Sequence, residues 1–419
     1  MSNIIAKTGW TGGQYSLFRI IFGLYLMVHF AHLLPWAAEV FSSAGMLADG
    51  ELSPLWSLVP NILRLNDSPL AVMALVFSAV IAALAFTMGW RDRFAAFWLW
   101  YVLLCLYTRN PLIANPALPY VGWMLLAHLC IPSSPYGSFA ARGRTHPSGN
   151  WVMPAAIFSA ASVVLALSYS YSGYTKLLSP SWVSGDTVAY VLQNPLARDW
   201  WLRDLFLSLP TEMLTGITWF ILVIELLYAP LALIAKLRPL LWSSMLLVQF
   251  GFLLLLDFPD LTFGMLVFHL LTFDPMWLSR KTNAGSWIYY DGDCGLCHRV
   301  IRFVLAEDSQ QAFRFAPLTS DFFTSQVNQD VRSRLPDSLV VQMANGDVYI
   351  RSEAVIQISS QLGGLWRGVA LLLRFMPKPV RDWGYDWVGA HRHTFFARPQ
   401  QLCPLVPAEL QSRFARDAA

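Results

Sequence analysis

Tyr289-Tyr290-Asp291-Gly292-Asp293-Cys294-Gly295-Leu296-Cys297 is the stretch on which the reading of this chain turns. It puts two of the five cysteines into one C-x-x-C. An apolar, aromatic run at 287–290 leads into the pair and has the composition of a strand. Val300, Phe303 and Val304 follow at helical spacing. A dithiol between a strand and a helix start points to thiol chemistry. Helix starts carry partial positive charge and unpaired N–H groups, which hold a cysteine there as its nucleophilic thiolate. Cys294, nearest the helix start, is expected to attack. Cys297, one turn further on, is expected to resolve the mixed disulfide.

Upstream the chain changes character. Of 419 residues, 56% are hydrophobic and only 13% charged, against about 25% charged in soluble domains. That composition describes an integral membrane protein. A net charge of +3 is too small to argue for nucleic acid as a partner. Apolar runs occur at 15–34, 69–88, 94–108, 120–131, 151–174, 213–235, 239–256 and 261–277, about eight candidate spans, the third and fourth short. An uncleaved first span is expected rather than a signal peptide, despite a weak small-residue site at 36–38.

Under that count Lys7, Arg91, Arg93, Arg142, Arg144, Lys236, Arg238, Arg280 and Lys281 fall on one side. Glu39, Asp49, Glu51, Asp67 and the turn at 257–260 fall on the other, together with Arg64, Arg109, Arg198 and Arg203. Positive-inside orientation then puts both termini and the dithiol in the cytoplasm of a multi-pass protein, in a bacterial inner membrane. Charge density rises after Arg280-Lys281, so the expected domains are 1–280 and 286–419.

Ionisable groups within a bilayer are costly and are functional candidates by default. His29 and His32 share a helix face near the outer end of the first span, and Glu225 lies in mid-span. His128 and His269 sit nearer inner ends. Each reads either as a hydrogen-bonding group between packed helices or, for the histidines, as a ligand of haem or metal.

Downstream, elements alternate. The stretch 313–316 alternates like a strand and 321–334 reads as a helix. Strands at 338–343 and 348–350 flank Asn345-Gly346-Asp347, a hairpin signal. Ser352 opens a capped helix through 362 with Glu353 in its first turn. The order β-α-β-α-β-β-α is that of thioredoxin. The expected fold is therefore a membrane α-helical bundle of about eight spans followed by a small α/β thioredoxin-like domain.

Four residues join Tyr290 around the dithiol. Asp291 either handles the proton of Cys297 or caps the turn, and Asp293 raises the thiol pKa if placed close. His298 either stabilises a thiolate when protonated or is an exposed helix residue. Pro336 stands where thioredoxins keep a cis-proline facing the dithiol. Cys403 is a third redox cysteine or a bystander, and Cys105 and Cys130 read as small buried hydrophobes. His391 and His393 could complete a zinc site with the C-x-x-C, but their spacing is poor and no second C-x-x-C exists, so no metal is expected. The dithiol itself needs no cofactor.

This half resembles the DCC family of thiol–disulfide oxidoreductases. The resemblance is carried by 290–297, Phe315-Ala316-Pro317-Leu318, Arg351-Ser352-Glu353-Ala354, Pro377-Lys378-Pro379-Val380-Arg381-Asp382, Tyr385 and Arg392. It implies disulfide exchange on a protein or small-molecule thiol substrate.

Ser172-Gly173-Tyr174-Thr175-Lys176-Leu177, followed by Trp182 and Gly185, resembles the vitamin K-dependent gamma-carboxylases and their bacterial relatives, the horizontally transferred transmembrane (HTTM) family. Their pattern is G-x-x-K-L, then W-x-x-G, and the loose resemblance runs from Gln14 to about Pro275. It makes Lys176 the counterpart of the base that deprotonates vitamin K hydroquinone. The alternative is a lysine snorkelling at a helix end. The spacing from Leu177 to Trp182 is one residue longer than in the carboxylase, and Pro116 stands where the carboxylase has histidine. No segment is expected to build the carboxylase's large lumenal domain. The scaffold is implied rather than the reaction.

Three functions fit. The first is a membrane-anchored oxidoreductase using Cys294 and Cys297, with a cellular dithiol or quinone as electron partner. The second is an HTTM-type enzyme acting on a quinone or peptide at the outer face through Lys176, His29 and His32, with an accessory redox domain. The third is a non-enzymatic membrane scaffold.

Overall fold

The computed structural model describes residues 8–113, 115–279, 285–333, 339–395 and 407–415. Lys7, Arg280, Lys281, Pro336, Cys403 and linker residues Thr282, Asn283 and Ala284 lie outside them, as does the side chain of His393. The chain divides into two compact units. A helical unit takes 18–133 and 154–273; the other takes the N-terminal segment up to 17, 134–153 and everything from 274.

Every apolar run forms a helix: α1 (Gly12–Leu33), α2 (Pro69–Met88), α3 (Asp92–Arg109), α4 (Leu118–Leu129), α5 (Ala155–Leu177), α6 (Thr211–Ala232), α7 (Arg238–Leu255) and α8 (Pro259–Thr272). Five of these stretches are long and apolar enough to cross a membrane: Gly12–Phe41, Pro69–Met88, Ala155–Leu177, Thr211–Ala232 and Ala235–Leu255. The rest fall short for physical reasons. Asp92, Arg93 and Arg109 charge the two ends of α3. At about 1.5 Å per residue, α4 and α8 reach roughly 18 and 21 Å, short of a hydrocarbon core of about 30 Å.

Polar groups in this unit are used to satisfy backbone. Arg19 is fully buried and donates to the carbonyls of Phe86 (2.8 Å) and Thr87 (3.2 Å), at the α2 terminus closed by left-handed Gly89. The last carbonyls of a helix have no partners of their own and attract cations. Pro230 lies inside α6 and has no N–H for the carbonyl of Leu226. Ser170 of α5 supplies the missing donor at 3.0 Å and accepts the Ala229 N–H at 2.8 Å. Gly173 lets the two backbones meet, because a Cβ there would lie 2.3 Å from the Leu226 nitrogen. Small residues at helix crossings permit this approach.

The second unit is built on a four-stranded mixed sheet. Its elements are β1 (Ser286–Tyr290), α9 (Gly295–Glu307), β2 (Phe313–Pro317), α10 (Asp321–Gln326), α11 (Gln329–Arg332), β3 (Val340–Gln342), β4 (Val348–Ile350), α12 (Arg351–Leu362), α13 (Gly364–Phe375) and α14 (Lys378–Phe395). The sheet order is β2-β1-β3-β4. β1 runs parallel to β2, pairing Ile288 with Phe315, and antiparallel to β3, pairing Ile288 with Val341. β3 and β4 form the hairpin that Asn345-Gly346 signals, with Gly346 at φ +91°. Alternation along β1 splits the core. Ile288 and Tyr290 join Phe313, Phe315, Val341, Ile301 and Val304 on one face. Tyr289 joins Ala316, Val340 and Phe323 on the other.

Two local expectations are corrected. The expected helix over 321–334 is broken between Gln326 and Gln329: Val327, extended and buried with Phe323, leaves the helical path to reach the core. Ser352 is not a helix cap. α12 starts at Arg351 with Ile350 in the capping position, and the Ser352 hydroxyl is bonded instead to Asp382 of α14.

Candidate active site

The dithiol sits where β1 gives way to α9. Tyr290 is fully buried at the end of β1, and its carbonyl accepts the Leu318 N–H at 2.8 Å, fixing the strand exit. The loop that follows closes on itself. The Asp291 carboxylate accepts the Asp293 N–H at 2.9 Å, and the Asp291 carbonyl accepts the Cys294 N–H at 3.3 Å. This Asx turn delivers Cys294 to the N-cap of α9 in extended conformation, φ −99° and ψ 112°. Its Sγ then does what an N-cap oxygen does elsewhere, accepting the Cys297 N–H at 3.3 Å.

The electrostatics separate the two sulfurs. The Cys294 thiol is brought down from 9.0 to about 6, first by the Cys297 thiol hydrogen-bonding to it, with help from the Cys297 and Leu296 N–H groups and the Arg392 charge, and against the effect of burial. Cys297 is driven the opposite way by that same sulfur–sulfur interaction, by burial and by the neighbouring Cys294 and Asp291 charges. The interaction favours charge on Cys294 and the proton on Cys297. Two groups whose pKa values are pushed apart in this way are suited to separate roles.

The surrounding residues order the loop. His298 donates from Nε2 to the Gly292 carbonyl at 2.9 Å, which fixes its tautomer, and its ring meets that of Tyr290 edge-on at 6.1 Å. Asp293 is exposed. Arg392 of α14 approaches Asp291 at 3.6 Å. Tyr385, also of α14, accepts the Leu339 N–H at 3.0 Å and lies within electrostatic reach of both thiols. Cys294 is fully buried and Cys297 half-buried.

Residues 288–398 match the family described as DCC1-like thiol-disulfide oxidoreductase. The uncharacterized protein YuxK of Bacillus subtilis (strain 168) is 31% identical over 131 residues, covering 30% of this chain and 91% of that protein. The chain belongs to the DCC1-like family. A chloroplastic DCC family protein of Arabidopsis thaliana is 33% identical over 109 residues, 26% of this chain and 63% of that relative. No solved structure matches. The DCC1-like match takes in the dithiol and its α14 partners Tyr385 and Arg392, and stops within the C-terminal unit.

Of the other sequence candidates, Lys176, Glu225, His29 and His32 lie outside the DCC1-like match, in the helical unit, and form two groups. Lys176 ion-pairs with Glu225, donates to Ser172 at 2.8 Å and lies 5.0 Å from the Trp182 ring centre. His29 and His32 line a cavity of about 960 Å³ that Lys176 does not border. There His29 Nδ1 meets Asp260 at 2.8 Å, and Asn115 donates to the other oxygen of that carboxylate. Sequence reasoning missed Asp260 as a site residue, having read it as a loop acid. Its position in the first turn of α8, facing a helical histidine, has no local signature. Among the described residues no cluster of three or more His, Cys, Asp or Glu is arranged for a metal. His391 donates to the Trp387 carbonyl at 2.8 Å.

Proposed function

We propose that this protein is a membrane-anchored thiol–disulfide oxidoreductase in which Cys294 attacks and Cys297 resolves. The observation that carries this is the N-cap position of Cys294, with its sulfur receiving the Cys297 N–H and its thiol held near pKa 6. The mixed sheet order, with the dithiol between β1 and α9, supports a thioredoxin-like fold for the domain.

The Cys294 thiolate attacks one sulfur of a substrate disulfide; a mixed disulfide forms and the other substrate sulfur leaves as thiolate. Cys297 then loses its proton, for which Asp291 of the same loop is the proposed acceptor, and attacks Cys294 Sγ. The substrate's second sulfur departs, the Cys294–Cys297 disulfide forms, and the substrate has gained two electrons. A cellular dithiol restores the enzyme by the reverse exchange. With lysines and arginines concentrated on the side of the dithiol, the domain lies in the cytoplasm, where substrate reduction is the favoured direction. The test is disulfide reduction by the purified full-length protein supplied with a dithiol. Cys294→Ser abolishes it; unchanged activity in that variant sinks the proposal.

One observation favours a second reading, an HTTM-type enzyme acting on a lipophilic quinone or peptide. The cavity of about 960 Å³ has aromatic walls and the His29–Asp260–Asn115 chain at one side, the composition of a small-molecule site. Lys176, bonded to Glu225 and Ser172, stands apart from it. If this reading holds, His29→Ala abolishes cellular function while Cys294→Ser only lowers it; the opposite ranking eliminates it.

A further inference from the structure

We propose that a basic cavity between the 134–147 segment and α9 is a binding site for a phosphate group. The segment contains no acidic residue. It is shaped by one side chain: Arg144 donates to the carbonyls of Ser134 (2.9 Å), His146 (3.0 Å) and Pro147 (2.8 Å). Gly137 at φ +88° and Gly143 at φ +75° make the turns this wrapping needs. From α9, Arg302 donates to the Thr145 carbonyl at 3.4 Å and to that of Arg144, fastening the segment to the helix.

These contacts border an open cavity of about 550 Å³. Arg142, Arg299 and Arg302 line it with Tyr136 and Ser138, and no acidic residue is among its described walls. Arg299 and Arg302 are three apart on α9 and so share a face. Arg142 is steadied over the Phe139 ring at 4.3 Å. The nearby carboxylates are committed elsewhere. Glu307 receives the Gly13 N–H at 2.8 Å and the Trp366 indole at 2.6 Å, Asp308 pairs with Arg413, and Glu409 meets His146 at 3.2 Å. Burial keeps the Tyr136 hydroxyl protonated, pushing it up to about 12, so it is available as a donor.

The guanidinium groups of Arg142, Arg299 and Arg302 border one space. Their planar forks fit tetrahedral oxyanions through paired charge-assisted hydrogen bonds. The space is larger than phosphate alone, which leaves room for an organic group: the remainder of a soluble phosphomonoester or the glycerol of an anionic lipid.

The test uses full-length protein in detergent, titrated calorimetrically with inorganic phosphate at constant ionic strength held by chloride. Saturable binding is expected, weakened about tenfold or more in Arg142→Ala/Arg299→Ala, since each lost charge-assisted bond removes at least about that factor. An unchanged thermal midpoint and an unchanged Cys294 alkylation profile certify the variant's fold. Nanodiscs of phosphatidylcholine with and without phosphatidic acid identify the source. If phosphatidic acid blocks the phosphate titration, the ligand is a lipid headgroup; if phosphate binds equally in both, it is a soluble phosphoester. Phosphate binding no tighter than chloride, or equal binding by wild type and variant, overturns the proposal.

Discussion

The separation of the two sulfurs can be read directly from the pH dependence of Cys294 alkylation. With the thiol near 6 instead of 9.0, about nine-tenths is thiolate at pH 7, against roughly one-hundredth for an ordinary cysteine. That is about a 90-fold gain in the reactive form. Nucleophilicity falls with pKa at a Brønsted slope of about 0.4–0.5, so three units cost roughly 20-fold in intrinsic rate. The net advantage at pH 7 is therefore only about fourfold. At pH 5 the thiolate ratio is about 900 and the net advantage about 40-fold, so acidic pH is the informative range. The assay is the rate of iodoacetamide labelling of Cys294 in the full-length protein between pH 4 and 9, located by peptide mass spectrometry. A single titration with its midpoint near 6 is expected. Cys297→Ala removes the largest cause of the depression and should move the midpoint up by roughly one to two units. Burial slows labelling by the same factor at every pH where the fold is intact, so it leaves the midpoint alone. A wild-type midpoint of about 8 or higher would refute the assignment of Cys294 as the activated thiol.

Removing the Arg392 charge in Arg392→Ala should raise the Cys294 midpoint by a fraction of a unit, less than Cys297→Ala does, in the same labelling assay. Tyr385→Ala frees the Leu339 N–H and should loosen α14, speeding labelling several-fold at all pH values with the midpoint moved no further than Arg392→Ala moves it. Glu307→Ala strands the Gly13 and Trp366 donors in a buried site and should cost about 2–4 kcal/mol, measured as a lowered thermal midpoint. Burial raises the Glu307 pKa, so in wild type the stability this group lends at low pH is lost as pH rises from its ordinary 4.5 through the raised value, and the variant lacks that slope. Gly173→Ala sets a Cβ 2.3 Å from the Leu226 nitrogen and should destabilise the α5–α6 pair by about 1–3 kcal/mol, read as a lower thermal midpoint in detergent.

What the sequence made legible was local and periodic. Apolar runs became helices because length and composition alone select that state. The aromatic run before Asp291 became β1, and Asn345-Gly346 made its hairpin. Cys294 was legible at a helix start because a strand-like run stops, and a helical period begins, within a few residues. The departures have long-range causes. Ser352 has the chemistry of a cap, but Asp382, thirty residues away, takes its hydroxyl. Val327 leaves a helical pattern because the core holds a place for it. Glu307 and Gly13 are 294 residues apart and His29 and Asp260 are 231 apart; no window of sequence reveals such a pair. Arg19 is a charge inside an apolar run, and the carbonyls ending α2 explain its place there.

The burial of Cys294 bears on how such a thiol can act. Full burial and a thiolate held at neutral pH normally oppose each other, since desolvation penalises the charge. Here the opposing contribution is supplied locally, by the Cys297 thiol, two backbone N–H groups and the Arg392 charge. Three of those four belong to the C-x-x-C itself and persist if α14 moves; the fourth belongs to α14. A displacement of α14 that admits a substrate would therefore leave most of the activation in place while removing the cover. The same displacement would release Asp291 from Arg392, freeing a carboxylate of the dithiol loop for the proton that Cys297 loses in the proposed mechanism. Access to Cys294 and deprotonation of Cys297 are in this way tied to one helix, and separating rate from midpoint in the Tyr385 and Arg392 variants distinguishes the two contributions.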